Sequence, residues 1–281
     1  MRLISFRTNH FSVCRFFVLS LCLALPTLAK SQTISASLPD APIPTAEAQR
    51  ASSPSVEDID ISWKKLPRRF LEDQKIIWLF PTQLARGHYW VPTLFVVGGT
   101  AALIATDPKT APYFRKHGGN LDDLNDTVDG TITSAGTAAI PLSLLAAGYI
   151  RHDSYQVNTS LLAGEAYADS AIVDLALKII TARKRPNAIP PSGPFSDTFF
   201  NHGGSRLSAG SFPSGHAIGA FSIATVIANR YHQHRWVPIA VYGFATAVSL
   251  SRITTSAHFP SDVFLGASLG YVIARFDVLR H

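Results

Sequence analysis

The chain has 281 residues, of which 47% are apolar and only 16% are charged. An average soluble domain has fewer apolar and more charged residues, so this composition favours a deeply buried helical core or contact with a membrane. The 25 basic and 19 acidic residues give a net charge of +6 that is spread along the chain, which argues against nucleic acid as a partner. The length suits a single domain.

The first 29 residues predict an export signal. Three arginines stand before residue 16, an apolar run follows, and small residues precede a cleavage position after Ala29. An uncleaved membrane anchor is the alternative, although the run is shorter than the roughly 20 apolar residues of a spanning helix. Both cysteines, Cys14 and Cys22, lie in this segment, so the mature chain would contain no disulfide and no thiolate metal site. Export would place the protein in the periplasm or the cell envelope.

Two further segments precede the main domain. Residues 30–56 are rich in Ser, Ala, Pro and Thr and contain almost no large apolar residues, which predicts a disordered linker. Residues 57–84 mix aromatic and aliphatic residues with lysines and arginines, which predicts an amphipathic helical lead-in with a basic face. That face either lies on an anionic membrane surface or is solvated while the helix packs on the domain. The remaining residues, 85–281, then form the domain itself.

Six apolar segments in residues 85–281 predict an all-α fold, a single helical bundle of about six core helices. The first two carry no charge and either is able to cross a membrane, whereas the last three are short or interrupted by charge, which is marginal for a bilayer. The third carries four charged residues on one stripe, which should face protein or water. The segments run from Tyr89 to Thr106, Thr131 to Ile150, Ser160 to Ala182, Ala217 to His232, Trp236 to Ser251 and Val263 to Leu279.

Three short blocks in the second half of the chain carry the polar chemistry. The first, residues 178–186, ends the third apolar segment at a proline and leaves its cations at a helix end. The second, residues 213–216, opens the fourth segment, where free backbone N–H groups and the helix dipole favour an anion. The third, residues 251–262, crosses the turn between the last two segments and contains an arginine, a histidine and an aspartate.

Chain direction predicts that the three blocks meet. In an antiparallel bundle, the end of the third segment, the start of the fourth, the end of the fifth and the start of the sixth lie at one end. The cations there would hold an anion, the histidine of the third block could attack or carry a proton, and the carboxylate four residues later could orient it. These are the parts of a phosphoryl-transfer site.

The spacing inside the blocks resembles the three-part signature of the type 2 phosphatidic acid phosphatase and vanadium haloperoxidase superfamily. One block alone would be weak evidence, whereas three ordered blocks with fixed internal spacing are a specific signal. The resemblance covers about residues 85–281 and implies the helical fold of that superfamily. Every signature position is matched, in order, by Lys178-x6-Arg185-Pro186, Pro213-Ser214-Gly215-His216 and Ser251-Arg252-x5-His258-x3-Asp262.

The resemblance implies a role for each of these side chains. His258 is the nucleophile that forms a phosphohistidine, Asp262 binds its other ring nitrogen, and His216 protonates the leaving oxygen. The enzyme expected is a phosphoric monoester hydrolase that acts on phosphomonoesters or on lipid phosphates and pyrophosphates, with no metal and no cofactor. The residues that bind the phosphoryl oxygens are Lys178, Arg185, Ser214, Gly215 and Arg252.

Two other functions stay open from the sequence. The same cations could hold vanadate, which would be the cofactor of a vanadate-dependent haloperoxidase. The site could also belong to a non-catalytic anion-binding protein of the envelope. The site is expected on the exported side, in a protein that is either integral to the membrane or soluble or surface-bound.

Some features beside the blocks have simpler interpretations. Lys178 could pair with Asp174 one helical turn earlier. Arg183 and Lys184 fall between the fixed positions of the first block and are expected to be solvated. The long connection over residues 187–212 contains two adjacent phenylalanines and is either a lid over the leaving group or a plain loop.

Overall fold

The computed structural model describes residues 61–118, 130–201 and 210–280. The predicted export signal and the predicted linker lie outside these ranges and stay predictions. Within the described ranges the chain is largely helical and contains no strand, which confirms the all-α prediction.

The described ranges contain seven α-helices. The first falls in the predicted lead-in, and the other six correspond one to one with the predicted apolar segments. After the last of them, the chain continues through a π-helical turn, Ile273–Asp277, and a 3-10 turn, Val278–Arg280. The helices are α1 Leu66–Ala85, α2 Trp90–His117, α3 Gly130–Arg151, α4 Ser154–Thr181, α5 Gly215–Arg230, α6 Trp236–Thr254 and α7 Pro260–Val272.

α4 and α7 begin at least three residues earlier than predicted because of local capping. The side chain of Asp153 accepts a hydrogen bond from the backbone N–H of Gln156 at 3.0 Å, so α4 begins at Ser154. α7 begins at Pro260, where proline at the first helical position costs no hydrogen bond. Both starts lie several residues before the apolar runs that located these helices.

α2 extends beyond the predicted end of the first apolar segment. It continues through Pro108 and Pro112 to His117, although proline usually ends a helix. A tertiary contact holds this part of the helix: Asp107 is fully buried and lies 2.7 Å from the guanidinium of Arg183. The predicted end at Thr106 is therefore wrong, because packing overrides the local preference.

α5 lies at the centre of the bundle and packs against α3, α4, α6 and α7. Most of its residues are buried, so it is covered on nearly every side. α7 approaches it closely at Gly266, where an added Cβ would lie 2.6 Å from the carbonyl oxygen of Ser214. This close approach brings the start of α7 against the start of α5, the two helix ends that carry the third and second blocks.

Buried polar contacts attach α1 to the rest of the bundle. Nε of Arg69 donates to both carboxylate oxygens of Glu165 at 3.1 Å, and Nη2 donates to the carbonyl of Val278 at 3.0 Å. Gln74 donates to the Asp169 carboxylate at 2.8 Å. The acidic stripe of α4 therefore faces protein here, and the basic face of the lead-in is only partly solvated because Arg69 is buried.

Three helices of the described chain are long and apolar enough to cross a membrane: α2, α3 from Thr133 onward, and α6. They also carry large apolar side chains on the outside of the bundle. Val91 is 79% exposed, Ile150 is 79% exposed and Ile239 is 74% exposed. A lipid environment would cover such residues. The sequence allowed a span for the first two segments, and α6 adds a third candidate.

Candidate active site

A cavity of about 220 Å³ lies at the end of the bundle where the three blocks meet. Residues of α3, α4 and α5 line it together with residues of two connections, one after α4 and one before α7. Five of the eight residues predicted for the site are in its lining: Lys178, Arg185, Gly215, His216 and His258. The other lining residues are Ser134, Thr137, Tyr167, Ala171, Asp174, Ile218 and Gly219.

His258 is oriented by the backbone of the connection after α4. Its Nδ1 lies 2.7 Å from the carbonyl oxygen of Ser211. A carbonyl oxygen only accepts, so Nδ1 carries the proton and Nε2 keeps its lone pair. Nε2 lies 3.4 Å from Nη1 of Arg185, which also lines the cavity. Burial lowers the pKa of His258, while Asp262 raises it, and the net shift favours the neutral ring with its free lone pair.

Asp262 lies close to His258 but has nearer partners. Its Oδ2 accepts a hydrogen bond from the backbone N–H of Phe259 at 2.8 Å and lies 3.5 Å from Nδ1 of His258. Its Oδ1 accepts from Nη1 of Arg183 at 2.5 Å. The hydrogen bond expected between Asp262 and His258 is therefore secondary to the one from His258 to Ser211. The reason is that the carboxylate caps α7 and binds an arginine at the same time.

Arg183 is buried, so the prediction that it is solvated is wrong. Its guanidinium bridges two carboxylates, with Nη2 at 2.7 Å from Asp107 and Nη1 at 2.5 Å from Asp262. It also donates to the hydroxyl groups of Thr198 at 3.1 Å and Ser261 at 2.7 Å. Ser261 in turn donates to Asp107. This network joins α2, the connection after α4 and the start of α7 behind the nucleophile.

Aromatic rings cover the guanidinium of Arg183. Its central carbon lies 4.0 Å from the centre of the Phe259 ring and 4.4 Å from that of Phe199. Phe199 belongs to the long connection over residues 187–212, so this part of the connection is anchored in the buried network. Phe200 is exposed, and residues 202–209 lie outside the described ranges. A lid role for the connection stays a prediction.

Arg252 and Ser214 are buried beside the cavity and are not among its lining residues. Nε and Nη2 of Arg252 donate to the hydroxyl of Ser251 at 3.1 Å and 3.0 Å, and its carbonyl accepts the N–H of His258 at 3.0 Å. Ser214 donates its backbone N–H to the carbonyl of Asp262 at 2.9 Å. Both residues thus hold the second and third blocks in place, and their roles in binding phosphate stay predictions.

His216 lies on the first turn of α5, where it contacts α3. Its Nε2 is 2.8 Å from the hydroxyl oxygen of Ser134. Ser134 and Ser211 were not predicted from the sequence. Neither belongs to a motif, and Ser211 acts through its backbone carbonyl, which no side-chain pattern predicts.

Within residues 61–118, 130–201 and 210–280, no group of three or more His, Cys, Asp or Glu side chains is placed to hold a metal ion. The expectation that the reaction needs no metal and no cofactor stays a prediction.

Lys178 pairs with Asp174, as the simpler interpretation of its sequence position suggested. Nζ of Lys178 lies 2.7 Å from Oδ2 of Asp174, and both residues line the cavity. Gly215 packs directly on this pair: an added Cβ would lie 2.9 Å from Asp174 Oδ2 and 3.0 Å from Lys178 Nζ. A glycine at this position therefore lets α5 begin against the ion pair.

We expect Gly215→Ala to weaken the binding of inorganic phosphate about tenfold, a loss of roughly 1.4 kcal/mol. The new methyl group would displace Lys178 or Asp174 from the cavity wall. Isothermal titration calorimetry measures the affinity, and Gly164→Ala is a matched control because an added Cβ there meets nothing within 4 Å. Unchanged phosphate affinity in Gly215→Ala would contradict this account of the glycine.

Parts of the chain are similar to known proteins. The sequence model of the PAP2 superfamily matches residues 159–279, which include all three blocks. The chain is 37% identical over 68 residues to a lipid A 1-phosphatase of Porphyromonas gingivalis, which covers 24% of this chain and 15% of the relative. It is 30% identical over 94 residues to a lipid A 4'-phosphatase of Bacteroides thetaiotaomicron, which covers 34% of this chain and 40% of the relative.

The alignments with these relatives are partial. They span less than half the length of either phosphatase. No solved structure matches the chain significantly. The family match nevertheless includes α5, most of α4 and both connections that line the cavity, and it agrees with the signature read from the three blocks. Through residues 159–279, this chain is therefore similar to the PAP2 superfamily.

Proposed function

We propose that this protein is a phosphatase that hydrolyses lipid phosphates through a phosphohistidine on His258, without a metal ion. The strongest support is the pattern of protonation of the His258 ring. Its Nδ1–H is bound to the Ser211 carbonyl, which leaves Nε2 as the nucleophilic nitrogen beside Arg185 and Lys178.

The proposed reaction has two steps. In the first, Nε2 of His258 attacks phosphorus, the bond from phosphorus to the leaving oxygen breaks, and His216 gives that oxygen a proton. In the second, water attacks the phosphohistidine, His216 takes a proton from the water, and the P–N bond breaks to release inorganic phosphate. Lys178 and Arg185 stabilise the charge that develops on the phosphoryl oxygens.

Several observations support a lipid as the substrate. The two relatives are named as lipid A phosphatases. Three helices of the described chain are able to cross a membrane, and their outer faces carry exposed apolar side chains. The cavity is small and its lining includes Lys178 and Arg185, so it suits a phosphoryl group while the rest of the substrate stays outside. We place the enzyme in the cell envelope with its site on the exported side.

The test is a substrate panel with purified protein in detergent. The panel contains a lipid A, phosphatidate, a prenyl pyrophosphate and p-nitrophenyl phosphate, each with and without EDTA or vanadate. We expect phosphate release from at least one lipid, unaffected by EDTA and inhibited by vanadate, because vanadate resembles the pentacoordinate phosphorus of the transition state. Vanadate-dependent bromination in peroxide would instead identify a haloperoxidase, and no turnover of any substrate would leave an anion-binding protein.

A further inference from the structure

The proposed phosphate cavity contains a carboxylate that the proposed reaction does not use. Asp174 lines the cavity, and its side chain is only 15% exposed. One oxygen, Oδ2, is bound by Nζ of Lys178 at 2.7 Å. The other, Oδ1, is buried and has no hydrogen-bond partner among the described residues. An acid in this position is unexpected, because a carboxylate repels the anion that the cavity is proposed to bind.

The groups around Asp174 are cationic or uncharged. Lys178 lies on the same helix, Arg185 comes from the connection after α4, and His258 comes from the connection before α7. α5 contributes His216 to the same lining, and α3 contributes only uncharged side chains. Burial raises the pKa of Asp174, and Lys178, His258 and Arg185 oppose that shift. The net direction is upward, so this carboxyl group is easier to protonate than an ordinary aspartate.

A bound phosphoryl dianion would change this balance. It would bring two negative charges next to Asp174 in a partly desolvated cavity, and it would compete for the ammonium group of Lys178. Charge repulsion of this kind favours the neutral acid, which also turns an acceptor into a donor. The unpaired Oδ1 is the oxygen that can carry the proton.

We propose that Asp174 takes up a proton from solvent when a tetrahedral dianion binds, and that the neutral carboxyl group then no longer repels the anion. One O–H bond forms on the carboxylate, and Lys178 is shared with the anion. Asp174 is then a binding and specificity residue, and it links substrate affinity to pH. This inference rests on the proposed function for the nature of the substrate.

The direction of the pH effect follows from linkage. The pKa of Asp174 in the free protein is lower than its pKa in the anion complex, because the anion favours the protonated form. Affinity is therefore full below the free-protein pKa and falls by about tenfold for each pH unit as pH rises above it, until the pKa of the complex is reached. In Asp174→Asn the side chain keeps its shape and has a donor group, but it does not titrate. Residue 174 then contributes no pH dependence to the affinity for the anion.

Sulfate binding tests the proposal without turnover. Sulfate keeps both negative charges between about pH 5 and pH 9, so it contributes no proton of its own to the linkage. Calorimetric titrations in two buffers of different ionisation enthalpy give the number of protons taken up on binding. We expect close to one proton more in the wild type than in Asp174→Asn. We also expect sulfate to bind Asp174→Asn more tightly than the wild type at pH 8, by a factor that shrinks as the pH is lowered to 5.

Glu72→Gln is the matched control. It also removes one negative charge, but at an exposed position on α1 that is far from Asp174 in the sequence. It should bind sulfate like the wild type at both pH values. Equal proton uptake by the wild type and Asp174→Asn would overturn the proposal. Sulfate binding to the wild type without proton uptake would also overturn it, and that measurement does not depend on a variant. Neither result bears on turnover, so the phosphatase proposal is judged separately by the substrate panel.

Discussion

His258→Asn should lower the rate of phosphate release by at least about a thousandfold while the fold is retained. The side chain amide of asparagine can replace Nδ1–H as the donor to the Ser211 carbonyl, which otherwise would lose a partner at 2.7 Å. It has no nitrogen that can form a phosphoryl intermediate. The expected effect is on kcat, because the cations that bind the phosphoryl group are still in place.

Rapid quenching with labelled substrate measures this prediction directly. The wild type should accumulate an acid-labile phosphoenzyme with the stability of a phosphohistidine, and His258→Asn should form none. His232→Asn is the matched control, because it makes the same substitution at an exposed histidine that contacts only a neighbouring backbone carbonyl in the described structure. Substantial turnover by a folded His258→Asn protein would refute the phosphohistidine mechanism. His258→Ala should be equally inactive.

Arg183→Met should reduce the free energy of unfolding by about 3–5 kcal/mol, because it leaves the buried carboxylates of Asp107 and Asp262 without their shared cation. Methionine fills part of the same volume, so the loss reflects charge more than packing. Arg183→Lys should recover only part of the stability. A single ammonium group cannot reproduce the two separate contacts that Nη1 and Nη2 make at 2.5 Å and 2.7 Å.

Urea unfolding of the purified variants in detergent measures this effect. Lys184→Met is the matched control, since Lys184 is the exposed neighbour of Arg183, and it should change stability by less than about 0.5 kcal/mol. The double variant Arg183→Met with Asp107→Asn should lose less stability than the sum of the losses of the two single variants. The reason is that Asp107→Asn removes one of the carboxylates that Arg183→Met leaves uncompensated. Equal stability of Arg183→Met and Lys184→Met would show that the network contributes little.

The overall fold was predictable from the sequence because its signals are local and repeated. Apolar segments of helical length located six core helices, and the structure confirms an all-α bundle within the described ranges. Boundaries were less predictable where packing outweighed propensity. α2 passes two prolines because Asp107 is held by Arg183 from another part of the chain.

Part of the cavity lining was also predictable from the sequence. Chain direction in an antiparallel bundle placed three blocks at one end, and five of the eight predicted residues line the cavity there. The pairing of Lys178 with Asp174 also followed from spacing, since the two lie one helical turn apart. In contrast, Arg183 looked like a solvated charge between two motif positions, because its burial depends on aromatic rings contributed by distant segments.

The sequence by itself determined the helical class, the similarity of residues 159–279 to the PAP2 superfamily and the end of the bundle at which the motifs gather. The reason is that periodicity, spacing and chain direction are properties of the order of residues. Only the tertiary structure decided which polar atoms pair. His258 binds the carbonyl of Ser211, 47 residues away, and Arg183 binds Asp262, 79 residues away. Such partners are set by how connections and helix ends pack in a buried space, where each donor must find an acceptor within about 3 Å.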